Sequence, residues 1–132
     1  MIILDENILD SQRQLLQRWS VPFRQTGNEA GRKGMNDNEI IGFILKLRRP
    51  TLFSSDKHFY KRTLCHAKYC VVYLDVEQSE TALFVRRLLR HNLFDTQAKR
   101  LGTVIRVSHV GGSIWEPHSQ KEKHFFWTSQ RN

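Results

Sequence analysis

Acidic residues stand at the ends of three apolar runs, and these carboxylates are the side chains best placed for chemistry. The three junctions read Leu4-Asp5, Ser54-Ser55-Asp56 and Leu74-Asp75. If the apolar runs are buried parallel strands, their carboxyl ends meet at one edge of a sheet, where ligands bind in a crevice. Asp37 begins the predicted helix that leads into the Asp56 strand, so it can face the same edge.

Carboxylates that crowd together repel one another, and a divalent cation removes that repulsion. Oxygen ligands with few imidazoles favour Mg²⁺ or Mn²⁺ over zinc. At a phosphodiester, such ions lower the pKa of bound water and neutralise charge on the phosphate. Each acid also has a structural interpretation, as a turn residue or a helix cap, and that alternative stays open.

The elements that would position these acids alternate between strands and helices. Helices are predicted near residues 10 to 19, from Asn36 or Asp37 onward, and near residues 79 to 91. Strands are predicted at residues 2 to 4, 21 to 23, 51 to 54, 70 to 74 and 103 to 110. This alternation implies right-handed crossovers and an α/β fold with a mostly parallel, roughly five-stranded sheet. Residues 1–132 are expected to form a single domain, with residues 111–132 as a candidate C-terminal extension.

The charge of the chain favours a polyanionic partner. Lys and Arg number 21 against 13 Asp and Glu, which gives a formal net charge of +8. The basic residues near the acidic segments are candidate contacts for the phosphates of a nucleic acid, namely Arg32, Lys33, Lys57, Lys61 and Arg62. A basic protein without a nucleic-acid role is the alternative.

Targeting signals are not evident in the sequence. Two cysteines cannot build the disulfide framework of a small secreted domain. The N-terminal residues lack the basic and apolar regions of a signal peptide, and no apolar stretch is long enough to span a membrane. The sequence therefore predicts a cytoplasmic protein with no membrane partner.

Three ordered segments, Ile3–Asn7, Asn36–Ile41 and Leu52–Phe59, resemble the PIN-like nucleases. The resemblance extends over roughly the first 75 residues and is closest to short PIN-like proteins related to toxins of bacterial toxin–antitoxin modules. It implies a three-layer α/β/α fold and a metal-dependent endoribonuclease that uses Mg²⁺ or Mn²⁺. RNA is the implied substrate, and a small antitoxin protein and a second copy of the chain are the candidate protein partners.

The resemblance also implies roles for particular residues. Asp5, Asp37 and Asp56 would be the metal ligands and catalytic residues. Glu6 and Asp75 are candidate helpers, and Asp75 is suggested by the strand-end pattern alone, because it has no clear counterpart in the family's motif. The neighbours of the site would be Ser54, through a hydrogen bond, and Asn7. The sequence departs from the family at His58, where relatives often carry an acid, and no clear counterpart of a further family glutamate is present.

Two alternatives to a nuclease stay open at this point. One is a catalytically inactive PIN-like module that binds nucleic acid. The other is a phospho-acceptor receiver domain, which also places acids at the ends of its first and third strands. A receiver domain needs a lysine at the end of its last parallel strand, and no lysine ends the strand predicted near Val110.

Overall fold

A computed structural model describes residues 1–127 of the chain. The strands are β1 (Ile2–Leu4), β2 (Arg24–Gln25), β3 (Thr51–Ser54), β4 (Cys70–Leu74), β5 (Val104–Val107), β6 (Gly111–Trp115) and β7 (Lys123–Phe126). The α-helices are α1 (Asp10–Arg18), α2 (Asp37–Ile44), α3 (Thr81–Arg90) and α4 (Gln97–Arg100). Short 3₁₀ helices occur at Lys57–Phe59, Arg62–Leu64 and Gln78–Glu80.

All seven strands form one sheet in the order β2-β1-β3-β4-β5-β6-β7. Strands β1 to β5 are parallel, and β6 and β7 are antiparallel to their neighbours. The prediction of an α/β fold with a mostly parallel sheet is confirmed. The expected count of roughly five strands is wrong, because residues 111–126 add two antiparallel strands to the β5 edge.

Buried side chains lie on both faces of the sheet, because successive strand residues point to opposite sides. One apolar cluster joins Leu4 and Phe53 to helices α1 and α3. A second cluster joins Ile3 and Leu52 to helix α2. Ser54 alternates with Phe53, so its side chain is on the α2 face of the sheet.

The start of α2 is set by local chemistry that the sequence already indicated. The Asn36 side chain accepts a hydrogen bond from the Glu39 backbone N–H at 2.9 Å, and Glu39 accepts one from the Asn36 N–H at 3.1 Å. This reciprocal pair is a capping box, and it makes Asp37 the first residue of the helix.

The second strand is later in the chain than predicted. Val21 and Phe23 pack against the apolar cluster of α1 and α3. The residues that pair with β1 are Arg24 and Gln25. No helix within residues 1–127 combines the length and the apolar character that a membrane span requires.

Candidate metal centre

The candidate site lies at the carboxyl ends of β1 and β3, which are adjacent and parallel. The crossover from β1 through α1 leads to β2 on one side of β1, and the crossover from β2 through α2 leads to β3 on the other side, so the strand order reverses here. Such a reversal leaves a crevice outside the strand ends, where open α/β sheets bind ligands. Asp5 directly follows β1, Ser54 ends β3, and Asp56 lies two residues beyond.

A chain of hydrogen bonds links these three residues. The Ser54 hydroxyl donates to Oδ2 of Asp5 at 2.8 Å and accepts from the backbone N–H of Asp56 at 3.1 Å. Ser54 is fully buried and Asp5 is only 4% exposed. The hydroxyl therefore ties the two carboxylate-bearing segments together and fixes the orientation of the Asp5 side chain.

The environment of Asp5 disfavours its ionised form. Burial raises the pKa of its carboxyl, and the negative charges of Glu6 and Asp56 raise it further. The hydrogen bonds from the Ser54 hydroxyl and the Asn7 backbone N–H act in the opposite direction. A nearby cation would stabilise the ionised carboxylate.

Asp37, Asp56 and His58 form the one group of at least three potential ligands found within residues 1–127. One ligand atom of each lies within 4.8 Å of those of the other two. Oδ1 of Asp56 accepts from the His58 backbone N–H at 2.9 Å and lies 2.8 Å from Nδ1 of the imidazole. Asp5 is outside this group and is connected to it through Ser54.

The donor set fits a divalent cation. Two carboxylates and an imidazole are ligands that Mn²⁺ accepts, whereas Mg²⁺ prefers oxygen alone. Sequence reasoning singled out Asp37 and Asp56 but treated His58 only as a departure from the family pattern. The signal that could have found it is its position two residues after Asp56, within one short turn.

The two helper acids have other partners. Oε1 of Glu6 accepts a hydrogen bond from the Gly34 backbone N–H at 2.7 Å. Oδ2 of Asp75 accepts from Nε and Nη2 of Arg106 at 3.1 and 2.6 Å. Glu6 therefore holds the Gly34 loop beside the site, and Asp75 belongs to an ion pair with Arg106.

Some of the candidate phosphate-binding residues are already held by other groups of the protein, and others are exposed. Arg32 forms an ion pair with Glu39 of the capping box. Arg62 donates to the Ser119 carbonyl oxygen at 3.0 Å and lies over the Trp115 ring. Lys33, Lys57 and Lys61 are exposed, and Lys57 directly follows Asp56. Lys33 and Lys57 are therefore available to contact a phosphate, and of the exposed lysines they are the nearest in sequence to Asp37 and Asp56.

Gln25 supports the site in a way that sequence reasoning missed. Its buried side-chain amide donates to the carbonyl oxygens of Asp5 and Ile8 at 3.1 and 3.0 Å. The Glu6 backbone N–H is likewise bound by the hydroxyl oxygen of Thr26 at 2.9 Å. Gln25 of β2 and the adjacent Thr26 thus hold the turn that carries Asp5, although β2 has only two residues.

Comparison with known proteins finds no family model, curated protein or solved structure that matches the chain. The resemblance to PIN-like nucleases therefore stays a prediction from the three sequence segments. The function is argued below from the site itself.

Proposed function

We propose that this chain is a PIN-like, metal-dependent endoribonuclease that hydrolyses phosphodiester bonds of RNA. The observation that carries the proposal is the convergence of Asp37 and Asp56 beside the buried Asp5–Ser54 pair, at the reversal of the strand order. The two apolar clusters on opposite faces of the sheet support the three-layer α/β/α arrangement that such a fold requires.

In this proposal the acids of the site have different roles. Asp37 and Asp56 hold the cation, with His58 as a third ligand, and Asp5 adds negative charge to the same crevice. A bound Mn²⁺ or Mg²⁺ supplies activation of water and neutralisation of phosphate charge. Ser54 is a positioning residue, because it fixes the Asp5 carboxylate and the Asp56 backbone at once.

RNA is the favoured substrate because basic side chains lie near the acids of the site. The net charge of +8 attracts a polyanion over distance. Lys33 is in the loop that Glu6 holds, and Lys57 is on the turn after Asp56, so both can contact phosphates beside the scissile bond. A small antitoxin protein that neutralises the enzyme, and a homodimer, are part of the same proposal.

Cleavage of a labelled single-stranded RNA by the purified chain tests this function. We expect cleavage to require Mn²⁺ or Mg²⁺ and to fall by more than about 100-fold in Asp56→Asn, since even outer partners of a metal site contribute about 10- to 100-fold. Asp10→Asn is the matched control, because Asp10 is an exposed acid at the start of α1. Cleavage that persists in chelator, or equally in both variants, would contradict the proposal.

Binding of RNA without cleavage is a second candidate function. It is favoured by the position of Asp5, which lies outside the group formed by Asp37, Asp56 and His58. This function predicts salt-sensitive RNA binding and intact RNA at every metal concentration. The cleavage assay, run beside a binding assay, separates the two functions.

A phospho-acceptor receiver domain is favoured by one observation, the order β2-β1-β3-β4-β5 of the parallel strands. Receiver domains share this order. However, β5 contains Arg106 and no lysine, and Ser108 and His109 follow it. Incubation with acetyl phosphate tests this function, and the absence of a phosphorylated Asp56 by mass spectrometry would remove it.

A further inference from the structure

A cavity of about 330 Å³ opens at the amino ends of β1 and β2, at the opposite end of these strands from the candidate metal centre. It is lined by Met1 and Ile2, by residues 22 to 24, and by Gln97 and Arg100 of α4. Its volume is at the lower end of the range for small-molecule sites, about 300 to 1,000 Å³. The lining combines apolar side chains with two arginines.

Arg100 is the unusual residue of this cavity, because it is a cation that is only 5% exposed. Its Nε donates to the Thr51 hydroxyl at 3.0 Å, and its Nη1 donates to the Phe94 carbonyl oxygen at 2.7 Å. Both acceptors are neutral. These two bonds hold the guanidinium in place at the amino end of β3 without compensating its charge.

Nη2 is the third nitrogen of the Arg100 guanidinium, and Arg100 is one of the residues that line the cavity. Nη2 makes no hydrogen bond within residues 1–127. The one buried side-chain nitrogen or oxygen without a partner in those residues is Nε2 of His91. Nη2 of Arg100 is not such an atom, so it retains accessible surface at a residue that lines the cavity.

No carboxylate within residues 1–127 lies at ion-pair distance from Arg100. Asp95, which acts on it electrostatically, is held by Lys99 at 2.8 Å. Burial lowers the pKa of Arg100, which reflects the cost of the unpaired charge. A buried charge is normally paired, and here the exposed Arg24 adds a second cation to the same cavity.

We propose that this cavity binds a small organic anion whose acidic group is a carboxylate or a phosphate. The acidic group would accept hydrogen bonds from Nη2 of Arg100 and from Arg24, because the oxygen atoms of a carboxylate and of a phosphate are both spaced to suit guanidinium donors. The apolar remainder of the ligand would pack against Ile2, Pro22 and Phe23. This site is separate from the candidate metal centre and does not depend on the proposed nuclease activity.

Calorimetric titration of the full chain with two probes, benzoate and phenyl phosphate, tests the proposal. Benzamide has a similar shape without the charge and is the matched control ligand. We expect at least one acid to bind and benzamide to bind about tenfold more weakly, the usual effect of one charge-assisted hydrogen bond. The stronger of the two acids identifies the acidic group that the site prefers.

Two variants assign the binding to this cavity. Arg24→Gln removes an exposed cation and is expected to weaken binding about tenfold while the melting temperature stays close to that of the wild type. Arg100→Gln removes the buried charge and is expected to weaken binding by at least as much, measured on protein that circular dichroism shows to be folded. Arg90→Gln, an exposed arginine on α3, is the control and is expected to bind as the wild type does.

Three results would overturn the proposal. The first is no binding of either acid at millimolar concentration. The second is equal binding of benzamide and the acids. The third is acid binding that Arg24→Gln leaves unchanged.

Discussion

Replacing Ser54 by alanine tests whether its hydroxyl organises the site. The hydroxyl is fully buried and makes two hydrogen bonds, one to the Asp5 carboxylate and one from the Asp56 backbone N–H. Alanine leaves both groups without that partner. A hydrogen bond to a charged group contributes about 1.5–3 kcal/mol and a neutral one about 1 kcal/mol. We therefore expect Ser54→Ala to lower the free energy of unfolding by roughly 2–4 kcal/mol at pH 7.

The loss of stability in Ser54→Ala should also depend on pH, because the Ser54 hydrogen bond favours the ionised form of Asp5 and so lowers its pKa. Removing the hydroxyl costs most when Asp5 is ionised, above its raised pKa. As the pH falls through that pKa, Asp5 takes up a proton and the cost approaches that of neutral hydrogen bonds, about 1–2 kcal/mol. Urea unfolding followed by circular dichroism at a series of pH values measures both the size and the pH dependence.

Ser55→Ala is the matched control, since it removes a hydroxyl from the next residue, which is only half-buried and makes no side-chain hydrogen bond within residues 1–127. Its expected effect is within about 0.5 kcal/mol at every pH. The reasoning is refuted if the two variants lose similar stability, or if the loss in Ser54→Ala does not change with pH.

Three further predictions concern the stability of the fold. Burial lowers the pKa of His91, so the stability that its neutral form provides is present above pH about 6.5 and is lost as the pH falls below that value. Between pH 8 and pH 5.5, urea unfolding should therefore show a smaller loss of stability in His91→Phe than in the wild type. The control His118→Gln, at an exposed position, should lose as much as the wild type. Asn36→Ala removes the cap of α2 and should lower the free energy of unfolding by about 0.5–2 kcal/mol, measured by the same method. Gly112→Ala places a Cβ 1.9 Å from the Arg106 carbonyl oxygen, so it should lower the melting temperature by at least about 5 °C, as calorimetry would show.

The parts of the fold that the sequence predicted are those with strong local signals. Ile2–Leu4, Thr51–Ser54 and Cys70–Leu74 are strands at the predicted positions, because a strand buried on both faces is a continuous apolar run. The Asn36 capping box was likewise visible as a spacing of three residues.

The parts that were missed depend on partners distant in the chain. β6 begins with two glycines and β7 with Lys123 and His124, so neither begins with the apolar pattern of a strand. β6 forms by pairing with β5, and β7 forms by pairing with β6. β2 is set by its register with β1 and not by the apolar residues that precede it. Periodicity along the sequence cannot report such pairing.

The acids of the candidate site could be predicted from the sequence, but the residues that hold them in position could not. Asp5, Asp37 and Asp56 follow strand ends or begin a helix, and these are local features of the sequence. The inclusion of His58 depends on the short turn after Asp56, and the role of Gln25 depends on two carbonyl oxygens from another segment. Such contacts become visible only when the chain is folded.

Calorimetric titration with Mn²⁺ tests the central claim most directly, with the wild type compared to Asp37→Asn, Asp56→Asn and the control Asp10→Asn. The account predicts that the wild type and the control bind one ion, and that the affinity falls by at least about tenfold in each of the other two variants. No binding to the wild type, or equal affinity in all four proteins, would contradict it.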